Sequence, residues 1–194
     1  RVVKSGIDAC DFDVLLDKDH ENHDHDMEYL HGHVHENETH QHSHGDHGHH
    51  HHEHRGLNEI MEIIDHADMT LRAKDYARRI FTILAQAEAK AHNVPADQVH
   101  FHEIGAVDSI VDILSVAVCM DDLDVEEVII PKLCEGSGTI RCQHGILPVP
   151  VPAVSNIVST YHLKLHITEV QGELVTPTGA AIAAAFCTGE ELPE

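Results

Sequence analysis

The stretch QVHFHEIGAVDSIVDILSVAVCM, residues 98–120, changes its period partway along. Its first residues alternate apolar and polar, as an extended segment does. From about Ala106 to Met120 the apolar set Val107, Ile110, Val111, Leu114 and Val118 recurs at helical spacing. An extended piece running straight into an amphipathic helix places the chain in the mixed α/β class.

The pattern continues on the N-terminal side. LRAKDYARRIFTILAQAEAKA predicts a helix over residues 71–91, with Tyr76, Ile80, Ile83, Leu84 and Ala87 on one side, ended by Asn93 and Pro95. LNEIMEIID places Leu57, Ile60, Met61 and Ile64 at helical spacing. Toward the C-terminus, EVIIPKL reads as a strand, EGSG as a turn and TIRCQHGILPVPVP as extended chain broken by prolines. VSNIVST reads as a short helix and LKLHITEV as a strand. TPTGAAIAAAF reads as a helix capped by Thr176 with Pro177 at its first position.

Residues 17–56 differ from everything around them. Of the 22 histidines in the chain, 15 lie between His20 and His54, mixed with Asp, Glu, Asn and Gly. Large apolar residues are few there, so the segment cannot bury enough surface to offset its chain entropy. The expected organisation is therefore a strand or hairpin over 1–16, a disordered His-rich acidic insertion over 17–56, a single compact mixed α+β domain over 57–187 and a tail over 188–194.

Composition limits the function classes. The net charge of -22 and the absence of Trp, with 4% aromatic residues, argue against a nucleic-acid partner and favour cations. No apolar run reaches the ~20 residues of a membrane helix. Five cysteines with no CxxC pair suggest reduced thiols in a cytoplasmic protein. The chain opens with Arg1, as expected of a piece of a longer polypeptide, and shows no signal peptide.

Four groups of residues can carry chemistry. The first is the insertion itself, with His31, His33, His35, His40, His42, His44, His47, His49, His50, His51, His52 and His54. Imidazoles in a flexible acidic chain offer many interchangeable donor sets for Ni, Cu or Zn, unlike a closed structural zinc cage. A purification tag would be a purer His run near a terminus, and a plain linker would use more Gly, Ser or Pro. Uptake by these imidazoles should fall as pH drops through about 6.5, since a protonated ring cannot ligate.

The second group is HFHEIGAVDSIVD, which packs five donors into 13 residues. His100 and His102 share one face of an extended segment, Glu103 follows, and Asp108 and Asp112 are neighbours on one helix face. A cation would offset the repulsion of the two carboxylates; the plain alternative is a solvated helix face beside a core histidine. The third is GELVTPTGAA, where Thr176, Thr178 and Gly179 open a helix whose N–H groups and dipole suit a phosphate, with Glu173 nearby, against simple capping. The fourth is CEGSGTIRCQHGILPVPVPA, in which Arg141 is a rare cation for a phosphate or carboxylate and His144 can stand at a cleft rim as a metal ligand. The alternative there is an ordinary turn.

Taken together and in this order, HFHEIGAVDSIVDI, CEGSGTIRCQHGILPVPVPA and GELVTPTGAAIAAAF resemble the LarC family. The resemblance covers about residues 57–187 by motif and the His-rich segment by composition. It implies a nickel chelatase or insertase of the lyase class that places Ni2+ into pyridinium-3,5-bisthiocarboxylic acid mononucleotide, maturing the nickel-pincer cofactor. CTP with Mg2+ or Mn2+ accompanies the reaction in that family. The metal-free pincer mononucleotide is then the substrate and a lactate racemase-type apo-enzyme the acceptor, with homo-oligomerisation left open. Forming one Ni–C and two Ni–S bonds requires a base for the ring proton, and His102 or Glu103 suits that role. Members usually begin with an Asp- and Gly-rich segment and continue into a further C-terminal domain, neither of which this sequence contains.

Two other functions compete. A nickel or zinc storage or metallochaperone module would need the histidines but neither the HxHE–D–D cluster nor the TPTG helix start. A metal-dependent nucleotide hydrolase would release pyrophosphate from CTP without nickel or pincer ligand. Deletion of residues 20–54 separates store from insertase: the store loses its function, whereas an insertase supplied with excess nickel keeps it.

Overall fold

The computed structural model describes residues 2–4, 6–9, 56–99, 101, 107–142 and 144–192. The expectations for the insertion, for His100, His102 and Glu103, and for the side chain of Asp108 lie outside these residues.

Among them the architecture is mixed α/β. Strands β1 (Val2–Lys4) and β2 (Ile7–Ala9) form an antiparallel pair around Gly6. Helices α1 (Leu57–His66), α2 (Leu71–His92) and α3 (Val107–Asp122) follow, with a 3-10 turn at Ala96–Gln98. Then come β3 (Leu133–Ser137), β4 (Thr139–Cys142), β5 (Gly145–Pro148), α4 (Pro152–Tyr161), β6 (Leu165–Gln171) and α5 (Pro177–Phe186).

Helix α2 is the centre of the core. Thr70 Oγ1 accepts from the Ala73 amide at 3.1 Å to start it, and Asn93 ends it in the left-handed region at φ 55°. One apolar side was expected, but Ala73, Ala77, Ile80, Phe81, Ile83, Leu84, Ala85, Ala87 and Ala89 are all buried, spreading around the helix. The reason is tertiary: α1, α3, α4 and α5 all pack against it, and its alanines let them approach closely. The Tyr76 and Phe186 rings meet edge to face at 5.0 Å, and Asn156 donates to the Ala87 carbonyl at 3.0 Å. Arg72 joins the start of α2 to the end of α3 through Asp121 and Asp124, each at 2.7 Å.

Helix α3 matches its expected span to within two residues, but its buried line is Ile110, Ile113 and Ala117, while Val118 is exposed. The contact line is rotated by about one residue, because Ala117 rather than a valine meets the neighbouring helices.

Strands β3 and β6 pair in parallel, Leu133 opposite Leu165, through a connection containing β4, β5 and α4, the long crossover that a parallel pair requires. Two local readings are corrected. EVIIPKL forms only an isolated bridge between Ile129 and Gly189, and the strand proper starts at Leu133, since Pro131 supplies no N–H. EGSG is a strand for three of its residues, with only Gly138 turning, at φ +89°. Gly136 is glycine for close approach: a Cβ there would lie 1.8 Å from the Gly172 carbonyl oxygen.

Candidate functional site

A cavity of about 820 Å³ opens between the C-terminal end of α2, one face of α3, the β4–β5 ribbon and the start of α5. Such a volume lies within the ~300–1,000 Å³ of small-ligand sites. Phe101, Val116, Ile140, Leu147, Val151 and Ile182 make much of its wall apolar.

Its polar groups arrive by separate local logics. On α2, Glu88 and His92 stand one helical turn apart and line the cavity, with Glu88 Oε2 3.6 Å from His92 Nε2. On α3, Ser109, Asp112 and Val116 lie at helical spacing on the face turned to the cavity. The buried line of α3 points elsewhere, so Asp112 is left exposed to the space. On the β4–β5 ribbon, Ile140 pairs with Leu147 and both line the cavity with Cys142 and His144. Cys142 is only 6% exposed, and its Sγ lies 4.0 Å from His144 Nδ1. The His144 and His92 rings stand 5.0 Å apart between centroids, tilted by 45°.

The fourth wall is the loop entering α5. Glu135 is fully buried, and its Oε1 accepts from the amides of Gly136 (2.7 Å), Leu174 (2.8 Å) and Val175 (3.1 Å). These bonds fix the loop between Glu173 and Thr176, both on the cavity wall. Thr176 Oγ1 accepts from the Gly179 amide at 3.1 Å, and the Thr176 carbonyl accepts from Ala180 at 2.9 Å. Pro177 has no N–H, so the first turn presents chiefly the Thr178 amide and hydroxyl to a ligand. Capping and cavity lining thus coexist here, and capping takes part of the donor set that a phosphate would use.

The structure therefore gathers Asp112, His144, Thr176, Thr178 and Gly179, expected from three separate motifs, around one space. Arg141 is not among the lining residues. It pairs with Ile146 on the ribbon face opposite to Ile140 and Leu147, and it is exposed, as strand alternation dictates. Glu88, His92 and Cys142 were not singled out as site residues from the sequence. The Glu88–His92 spacing in EAKAH was a readable signal, whereas the approach of His144 to His92 was not. Phe101, which lines the cavity, precedes His102 and Glu103, and Ser109, which also lines it, follows Asp108.

The cavity is acidic, lined by Glu88, Asp112 and Glu173 and by no Lys or Arg among the described residues. Among those residues, no three His, Cys, Asp or Glu donors are closed around one point. No described helix is long and apolar enough to cross a membrane.

The model of the nickel insertion protein family matches residues 1–194. A pyridinium-3,5-bisthiocarboxylic acid mononucleotide nickel insertion protein of Alkaliphilus metalliredigens is 54% identical over 193 residues, covering 100% of this chain and 42% of the relative. Proteins of the same description from Acetivibrio thermocellus and Clostridium acetobutylicum are 44% identical over 128 residues and 46% identical over 129. Each covers 66% of this chain, which spans 31% and 30% of their lengths. The chain thus spans less than half the length of these relatives. No solved structure matches it.

Proposed function

The chain belongs to the nickel insertion protein family, and from that premise we propose that it takes part in placing Ni2+ into pyridinium-3,5-bisthiocarboxylic acid mononucleotide. The observation that carries this reading is the acidic, largely apolar cavity, in which Asp112, His144 and the start of α5 meet. An apolar wall suits a flat pyridinium ring, and the carboxylates of Glu88, Asp112 and Glu173 suit a divalent cation beside it. The histidines of the 17–56 insertion raise the local supply of the ion, and the cavity is where ion and mononucleotide meet.

His102 and Glu103 are the proposed bases for the ring proton, and His100, Asp108 and Asp112 the proposed ligands that go with them. That Phe101 and Ser109 both line the cavity supports the assignment. CTP with Mg2+ or Mn2+ belongs to the reading by family resemblance, but the cavity suits its phosphates poorly. No basic side chain among the described residues lines it, and capping engages the Gly179 amide. Thr178 and Gly179 remain contacts for a phosphate escorted by a divalent cation, and Arg141 would meet only a ligand outside the cavity. An acceptor enzyme of lactate racemase type, a cytoplasmic setting, lyase-type chemistry and self-association complete the proposal.

The test mixes the full chain with Ni2+, CTP, Mg2+ and the metal-free mononucleotide, with a full-length relative as positive control, and follows the product by mass spectrometry. A nickel adduct formed by this chain supports the reading. Tight nickel binding with no adduct replaces it with a storage or metallochaperone function, for which the His-rich composition speaks.

A further inference from the structure

We infer that His92, Cys142 and His144 form the transfer site from which Ni2+ passes to the mononucleotide, an inference that rests on the function proposed above and assigns its metal-holding residues. Four potential donors follow one another along the cavity lining, from α2 to the β4–β5 ribbon. Glu88 stands 3.6 Å from His92, the His92 and His144 rings are 5.0 Å apart, and Cys142 Sγ is 4.0 Å from His144 Nδ1. They come from two elements far apart in the chain, the last turn of α2 and the tip of the β4–β5 ribbon, so the fold itself brings them together.

The spacing fits shared ligation. With metal–nitrogen bonds of about 2.0–2.1 Å, two imidazoles on one ion place their ring centres roughly 4.5–5 Å apart. The His92–His144 separation of 5.0 Å lies at the edge of that range. A carboxylate beside Nε2 of His92 favours the tautomer that leaves Nδ1 to ligate, the usual relation of an orienting carboxylate to a metal-bound histidine. His144 presents Nδ1 on the side of the Cys142 sulfur, so the pair is disposed to chelate. Imidazole with thiolate is a donor set that favours Ni2+ over Mg2+ or Ca2+.

No three donors among the described residues converge on one point, so at most two of them meet the ion together unless the side chains move. A closed four-ligand cage holds its metal, whereas two ligands leave coordination positions for the sulfurs of the mononucleotide. Transfer is a ligand exchange in which nickel stays Ni(II). The Cys142 thiol releases its proton to solvent when the ion binds; the sulfurs of the mononucleotide then displace the thiolate and the imidazole beside it. The ring proton lost on forming the Ni–C bond goes to a protein base.

The experiment titrates the full chain with Ni2+ alone and reads sulfur-to-nickel charge-transfer absorption, in the wild type and in Cys142→Ser, His92→Asn and His144→Asn. His92 and His144 are exposed to the cavity, so their replacement spares the core even if Cys142→Ser disturbs it. The expected result is an absorption band lost in Cys142→Ser and weakened in both histidine variants, with most nickel still bound by the insertion. Absence of the band in the wild type, or its persistence unchanged in Cys142→Ser, overturns the site; two metal-free imidazoles in tilted contact would then explain the ring separation. Adduct formation on the same proteins separates this inference from the parent reading. A drop of at least about 10-fold in the histidine variants supports the site. Wild-type rates in all three variants overturn the site and leave the insertase reading standing, while no adduct with wild type overturns the insertase reading itself.

Discussion

Glu135 Oε1 accepts a hydrogen bond from the Leu174 amide at 2.8 Å, across 39 residues of sequence, and shares it with Gly136 and Val175. One buried carboxylate oxygen thereby ties β3 to the loop that carries Glu173 and Thr176 to the cavity. Glu135→Ala leaves buried amides without an acceptor, at roughly 1–3 kcal/mol for each one that water does not reach. A total loss of about 2–5 kcal/mol is expected in urea unfolding, with Glu135→Gln losing less because its amide oxygen still accepts. A change below ~0.5 kcal/mol for Glu135→Ala would show that the loop holds itself.

Gly136 lies where β3 passes closest to the end of β6. An alanine Cβ there would meet the Gly172 carbonyl oxygen at 1.8 Å and that of Val170 at 2.9 Å. Backbone rather than a flexible side chain stands in the way, so the strands must part. Gly136→Ala is expected to cost more than about 3 kcal/mol or to prevent folding. Gly145 supplies the contrast: it has open space around it and φ +93°, so Gly145→Ala should cost only about 1–2 kcal/mol. Thermal unfolding of the pair tests this, and equal losses would refute the close-approach account.

Asp112 faces the cavity from α3, and under the proposed function its carboxylate helps to hold the transferred ion. Asp112→Asn, alone and with Asp108→Asn, should lower nickel-adduct formation by at least about 10-fold. Total nickel bound at equilibrium should change little, because the insertion holds most of it. Adduct formation at the wild-type rate in the double variant would remove both carboxylates from the site.

Asp65 pairs with Arg78, whose hydrogen bond holds the Asp65 carboxyl below its ordinary range. For an acid with a depressed folded-state value, the contribution to stability is complete above the unfolded value of about 3.9. It is lost as pH falls through the lower folded value. NMR titration should therefore show Asp65 titrating low in the wild type and moving up toward ~3.9 in Arg78→Gln. An unmoved midpoint would mean that the ion pair does not persist in solution.

Much of the fold was legible because it is written locally. The spans of α1, α2, α4 and α5 follow from apolar spacing and from Thr70, Asn93, Thr176 and Pro177, residues that act on the backbone within one turn. Where the reading failed, a distant partner decided. EGSG reads as a turn from its glycines, yet Gly136 exists to let β6 pass. The buried line of α3 turns onto Ala117 because a small residue lets the neighbouring helices come close.

The site divides in the same way. The sequence by itself determined which residue types are available for chemistry, the helix cap at Thr176, the acidic charge and the family motifs, since these are properties of composition and near neighbours. Only the tertiary structure decided that Asp112, His144 and Thr178 share one cavity, that Arg141 faces away from it, and that His92 meets His144. The physical reason is that ligand geometry depends on helix packing and strand register. These are set by contacts between segments tens of residues apart, where a change of one residue in register turns a side chain to the opposite face.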